Sequence, residues 1–175
     1  IKRNKITLGD NAHATGLNAG IISMNGVDGQ HANLTMENNE ITIGSSGRIS
    51  AGVVTWGETA LAESTLIAKN NLVKVEASQQ SFGIGVGLNP TGASLEPKFF
   101  TTSSLEANTI LCDTVSASAN VSSPILMTNG TGAASNLLNN VLVAGKASAS
   151  LGLLAYATDI NVYNNTILTS SASTL

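Results

Sequence analysis

One eight-residue pattern recurs along this chain and restricts its fold more than any other feature. It occurs at Leu34 to Ile41 (LTMENNEI), Leu66 to Val73 (LIAKNNLV), Ser103 to Ile110 (SSLEANTI), Ser135 to Leu142 (SNLLNNVL) and Ile160 to Ile167 (INVYNNTI). The common form is apolar, any, apolar, any, any, Asn, any, apolar. The sixth position is Asn39, Asn71, Asn108, Asn140 and Asn165, and Asn4-Lys5-Ile6-Thr7-Leu8 supplies a further copy at Asn4. Successive asparagines lie 35, 32, 37, 32 and 25 residues apart. Self-similarity at such a period marks an architecture of stacked units, none of which can bury its apolar face alone.

A second element lies between the octets: a small residue followed by aliphatics. It reads Gly20-Ile21-Ile22, Gly52-Val53-Val54, Gly85-Val86, Pro124-Ile125-Leu126 and Gly152-Leu153-Leu154. Turns are expected at Asn25-Gly26 and Asn129-Gly130, because both residue types tolerate positive φ. The runs after the octet asparagine, Ile41-Thr42-Ile43, Val73-Lys74-Val75 and Ile110-Leu111-Cys112, alternate with period two and favour strands. No segment sustains a helical stripe between caps, and the one rival, Thr59 to Lys69, shares its octet with the strand copies.

Composition removes several classes. Only 11% of the 175 residues are charged, the formal net charge is −3, and there are two arginines, so no basic stripe exists for nucleic acid. Hydrophobic residues make up 42%, which argues against disorder. A single cysteine excludes a disulfide framework and a cysteine-based zinc site.

The expected fold is therefore all-β: a parallel β-helix (solenoid) of about five to six coils, each 25–37 residues long. Residues 1–175 read as one solenoid segment cut from a longer chain. Residues 89–102 (NPTGASLEPKFFTT) read as a projecting loop, since they hold two of three prolines. Stacked coils pair strand on strand, predicting a body about 25 Å long. The sixth-position asparagines are read as structural corners. Asn accepts αL backbone, and its amide both donates and accepts, so identical side chains can bond up the stack.

The Asn corners and Gly-aliphatic-aliphatic strands resemble those of right-handed parallel β-helix proteins. The chain most resembles a passenger segment of bacterial autotransporters and polymorphic outer-membrane proteins, which repeat Gly-Gly-Ala-Ile and Phe-x-x-Asn. Gly20-Ile21-Ile22 and Gly52-Val53-Val54 are versions of the first, and Leu105-Glu106-Ala107-Asn108 is a Leu version of the second. The resemblance implies a non-catalytic structural or adhesive module, extracellular on a bacterial cell surface. The partners it implies are a host-surface protein or glycan, flanking coils of the same polypeptide, or end-to-end copies. The alternatives are a carbohydrate-active β-helix enzyme fragment and a self-assembling filament subunit.

No catalytic, cofactor or metal site is expected. The aspartates Asp10, Asp28, Asp113 and Asp159 are scattered, and an enzyme would need three or more charged side chains converging on one outer face. Glu37 and Lys69 share octet position four, Glu106 lies near it in the next copy, and opposite charges on adjacent rungs should pair outward as a surface ladder of small net gain. His13 and His31, expected in turns, are a weak metal signal. Gly83, Gly85 and Gly87 are followed by no Lys-Ser/Thr and make no phosphate loop. Cys112 shares a face with Ile43 and Val75 and should be an inert buried thiol. Trp56 and Tyr156 follow equivalent aliphatic pairs and should share an outer face; with Phe99 and Phe100 they are the candidate exposed aromatic contacts. Asn33, Asn120, Asn129 and Asn164 open Asn-x-Ser/Thr triplets, which would carry glycans in a eukaryotic source.

Overall fold

A computed structural model of the chain describes residues 1–10, 16–26, 30–46, 48–57, 63–76, 78–87, 100–113, 121–128, 134–156 and 159–170, with Phe100 and Thr101 described in backbone only. These residues form strands, and none of them is helical. β1 (Lys5–Leu8) opens the order. Triplets follow: β2 (Leu17–Asn25), β3 (His31–Glu37) and β4 (Glu40–Ile43), then β5 (Ile49–Gly57), β6 (Glu63–Lys69) and β7 (Leu72–Val75). The next two are β8 (Gln80–Val86), β9 (Phe100–Glu106) and β10 (Thr109–Cys112), and β11 (Val121–Met127), β12 (Ala134–Leu138) and β13 (Val141–Ala144). The last layer is β14 (Ala149–Ser150) with β15 (Leu154–Ala155), β16 (Asp159–Tyr163) and β17 (Thr166–Thr169).

Each member of a triplet belongs to a different sheet, and every pairing is parallel. One sheet runs β1-β4-β7-β10-β13-β17, a second β14-β11-β8-β5-β2 with β15 beside β11, and a third β16-β12-β9-β6-β3. Three parallel sheets of stacked strands, visited in rotation, are consistent with a parallel β-helix. Thr59 to Lys69, the helical rival, ends in β6.

Register explains the octet. Ile41, Val73, Ile110 and Leu142 align directly on one another, and all are fully buried. Met36, Ala68, Leu105 and Leu137 do the same one sheet over, so large and small side chains interleave. Fully burying each such aliphatic contributes about 1.5–3 kcal/mol, far more than an exposed ion pair. The low aromatic content follows from inward columns that admit one aliphatic layer per strand spacing.

The structure corrects the conformation assigned to the corner. Positive φ lies one residue before the ladder asparagine: Arg3 (55°), Asn38 (55°), Asn70 (53°), Ala107 (53°), Asn139 (56°) and Asn164 (52°). Asn39, Asn71, Asn108, Asn140 and Asn165 are selected for their amides. The neighbour makes the turn, which is why Asn-Asn doublets recur.

The small-residue element needs one correction. Val54 pairs with Gly85 and Val53 with Ile84, so the residue equivalent to Gly52 is Gly83, not Gly85. The ladder skips this position in β2, β5, β8 and β11: Ala19 pairs Ala51 and Ile21 pairs Val53, Ala51 pairs Phe82 and Val53 pairs Ile84, while Ser123 pairs Phe82 and Ile125 pairs Ile84. The in-out alternation shifts there, as at a bulge. A Cβ on Gly83 would come within 2.0 Å of Ile110 Cγ2 and 2.6 Å of the Pro124 carbonyl oxygen. The skipped pairing also accommodates Pro124 inside a central strand, because no ladder donor is required of it.

Two apolar clusters result. The inner one includes Val53, Ile84 and Ile125; the other, on the opposite face of the β5–β8–β11 strands, joins Val54, Phe82 and Leu126.

Candidate functional site

The octet asparagines form one continuous file. Nδ2 of Asn4 donates to Oδ1 of Asn39 at 3.2 Å, Asn39 to Asn71 at 2.8 Å, and Asn71 to Asn108 at 2.9 Å. Asn108 then donates to Asn140 at 3.0 Å and Asn140 to Asn165 at 2.9 Å. Each Oδ1 also accepts the backbone N–H of the preceding asparagine, as Asn108 Oδ1 does from Asn71 at 3.0 Å. The second Nδ2 proton reaches a carbonyl of the coil directly before: Asn108 to Ala68 O and Asn140 to Leu105 O, both at 2.8 Å. Asn71, Asn108 and Asn140 are at most 2% exposed. Every donor and acceptor of these amides is therefore used inside a dry corner.

A second polar stack escaped the sequence reading. Ser50, Ser81, Ser122 and Ser150 share one column. Ser46 N–H donates to Ser78 Oγ at 2.8 Å, the Ser50 and Ser78 hydroxyls lie 2.7 Å apart, and Gly145 N–H donates to Ser122 Oγ at 3.1 Å. Its signal was a serine pair after each octet, obscured by the overall serine content.

The position-four side chains Glu37, Lys69 and Glu106 align in register. Ion pairs join Lys2 to Glu37 at 2.7 Å and Lys69 to Glu106 at 2.6 Å, so Glu37 turns to Lys2 rather than to the next rung. The Lys2 hydrogen bond and charge lower the Glu37 pKa, and the Glu106 hydrogen bond and charge raise that of Lys69. Asp10 is also lowered, by the backbone and hydroxyl donors of Ser45. His31 is the first residue of β3 rather than a turn residue, and its Nδ1 lies 3.0 Å from Glu63. His13, Asp28, Asn120, Asn129-Gly130 and Phe99 lie outside the described residues.

The aromatic candidates are not brought together. Trp56 is half-buried and Tyr156 exposed; they occupy one column of the second sheet, separated by the rungs of Gly87 and Thr128. Phe100 begins β9, so residues 100–102 are strand and the segment read as a loop over 89–102 ends earlier, residues 88–99 being outside the described set. Asn33 is an exposed position of β3, and Asn164 is exposed at a corner. Cys112 is 2% exposed and donates to Ser123 O at 3.6 Å; burial pushes its thiol pKa far above the usual range.

One concave surface emerges that the spacing of carboxylates in the sequence had hidden. It lies on the outer face of the β4–β7–β10–β13–β17 sheet, has a volume of about 390 Å³, and runs from Thr42 to Ser170. Leu111 and Val143, both half-buried, give it apolar surface. Lys74, Glu76 and Asp113, all exposed, line it. Glu76 and Asp113 follow paired residues of adjacent strands: the Glu76 N–H donates to Ile43 O and the Asp113 N–H to Val75 O, each at 2.8 Å. They therefore sit one strand spacing apart, about 4.8 Å. Among the described residues none of these three makes an ion pair. No group of three or more His, Cys, Asp or Glu side chains able to hold a metal occurs among the described residues.

Comparison with known proteins finds no matching family, no matching curated protein and no matching solved structure.

Proposed function

We propose that this chain is a segment of a parallel β-helix serving as a non-catalytic structural and adhesive module, displayed extracellularly by a secreted or outer-membrane-anchored bacterial protein. The observation that carries the reading is the unbroken asparagine file, in register through six layers. A fully satisfied buried amide ladder fixes coil on coil and makes a stiff body whose outer faces are free to vary. Flanking coils or end-to-end copies are the expected neighbours of the last layer. There Val162 and Ile167 are each 44% exposed, whereas Leu137 and Leu142, their register partners below, are fully buried.

Adhesion by the folded chain is the test. Beads coated with native chain should be retained on epithelial cells or immobilised host glycans, and beads coated with the unfolded chain should not. Equal retention of both would refute the adhesive role. A second reading, a carbohydrate-active enzyme fragment, draws on one observation: Lys74, Glu76 and Asp113 line a single outer groove. Release of new sugar ends from a polysaccharide would establish that reading instead.

A further inference from the structure

We infer that the groove over β4, β7, β10, β13 and β17 is a saccharide-binding site for neutral or amino-bearing sugars. This deepens the adhesive reading and rests on it. The fold itself does not ask for the charges found there. The column holding Glu76 and Asp113 otherwise contains Gly9, Gly44, Gly145 and Ser170, and the column holding Lys74 contains Thr7, Thr42, Leu111, Val143 and Leu168. Like charges on neighbouring strands cost stability. The pair is nonetheless retained without an ionic partner among the described residues.

The chemistry fits a pyranose. Two carboxylates accept hydrogen bonds from ring hydroxyls, the Lys74 ammonium donates to another, and Leu111 with Val143 covers the C–H face. One cation against two anions disfavours uronates and other polyanions and favours neutral or amino sugars. The groove spans five rungs, about 19 Å at the strand spacing, which suits an oligosaccharide rather than a single ring.

The test is titration calorimetry of the 175-residue chain with three probes: a glucosamine hexamer, cellohexaose and a galacturonate hexamer. The glucosamine hexamer should bind at least as tightly as cellohexaose, and the galacturonate hexamer should not bind. The double variant Glu76→Gln, Asp113→Asn should weaken the glucosamine hexamer about tenfold or more. Its melting temperature should not fall, since a repulsion has been removed. Absence of binding by both preferred probes, preference for galacturonate, or binding unchanged in the double variant would overturn the site while leaving the ladder reading intact. Cleavage of a bound probe would keep the site and overturn the non-catalytic function.

Discussion

Replacing Asn108 by Ala tests the ladder at its centre. The side chain makes four hydrogen bonds: it donates to Asn140 Oδ1 (3.0 Å) and Ala68 O (2.8 Å), and accepts from Asn71 N (3.0 Å) and Asn71 Nδ2 (2.9 Å). At about 1 kcal/mol net each, their loss costs about 4 kcal/mol. Asn71 is 2% exposed, so its two orphaned donors gain no water, which raises the cost toward about 6 kcal/mol. Asn4→Ala is the matched control. Asn4 is exposed and its side chain makes two bonds, to Asn39 Oδ1 and Lys2 O, so its loss should cost about 1 kcal/mol. Urea unfolding followed by circular dichroism reads the difference as a shift in midpoint at constant slope. Equal midpoints for the two variants would refute the claim that buried amide satisfaction, rather than aliphatic packing alone, holds the coils in register.

The other expectations are narrower. Ala107 holds φ 53°, so Ala107→Gly should stabilise the chain by about 1 kcal/mol in the same urea assay, and Asn70→Ala should do the reverse. Gly83→Ala should cost about 3 kcal/mol through collision with Ile110 and the Pro124 carbonyl, whereas Gly9→Ala, with no atom within 4 Å of the new Cβ, should shift the midpoint by less than about 0.5 kcal/mol. Cys112 should resist an aromatic disulfide reagent in mildly alkaline buffer and react fully on denaturation; rapid native reaction would contradict its burial. Glu37 is lowered on folding, so its contribution is present above the unfolded value of 4.5 and lost as pH falls through the folded value. Lys69 is raised, so its contribution is present below 10.5 and lost as pH rises through the folded value. Both groups are exposed; melting temperature should be nearly flat between those limits and decline modestly beyond them, as a pH series of thermal melts would show.

Much of the architecture was legible because stacking forces chemically equivalent residues into one column, and equivalent residues leave a period in the sequence. Asn108 and Asn140 announce each other at 32 residues because both must bond the same way. Where a column tolerates substitution, the period fades. Gly85 reads as the equivalent of Gly52 because two glycines fit the local pattern, and only the pairing of Val53 with Ile84 gives the position to Gly83. Either member of an Asn-Asn doublet can adopt αL backbone, so the doublet alone does not say which one makes the turn. Ala107 and Arg3, which sit at the αL position without being Asn, were the available clue.

The groove was illegible for the complementary reason. A ladder repeats its residue types, and a binding surface on the same scaffold must depart from them. Glu76 and Asp113 are 37 positions apart and follow different octets, so nothing local links them. They become neighbours only through the pairing of Val75 with Cys112. In a stacked fold the informative surface residues are those that break a column without a structural reason. By that standard, Glu76 and Asp113, without an ion-pair partner among the described residues in a file otherwise holding Gly9, Gly44, Gly145 and Ser170, are the residues from which the proposed binding surface is argued.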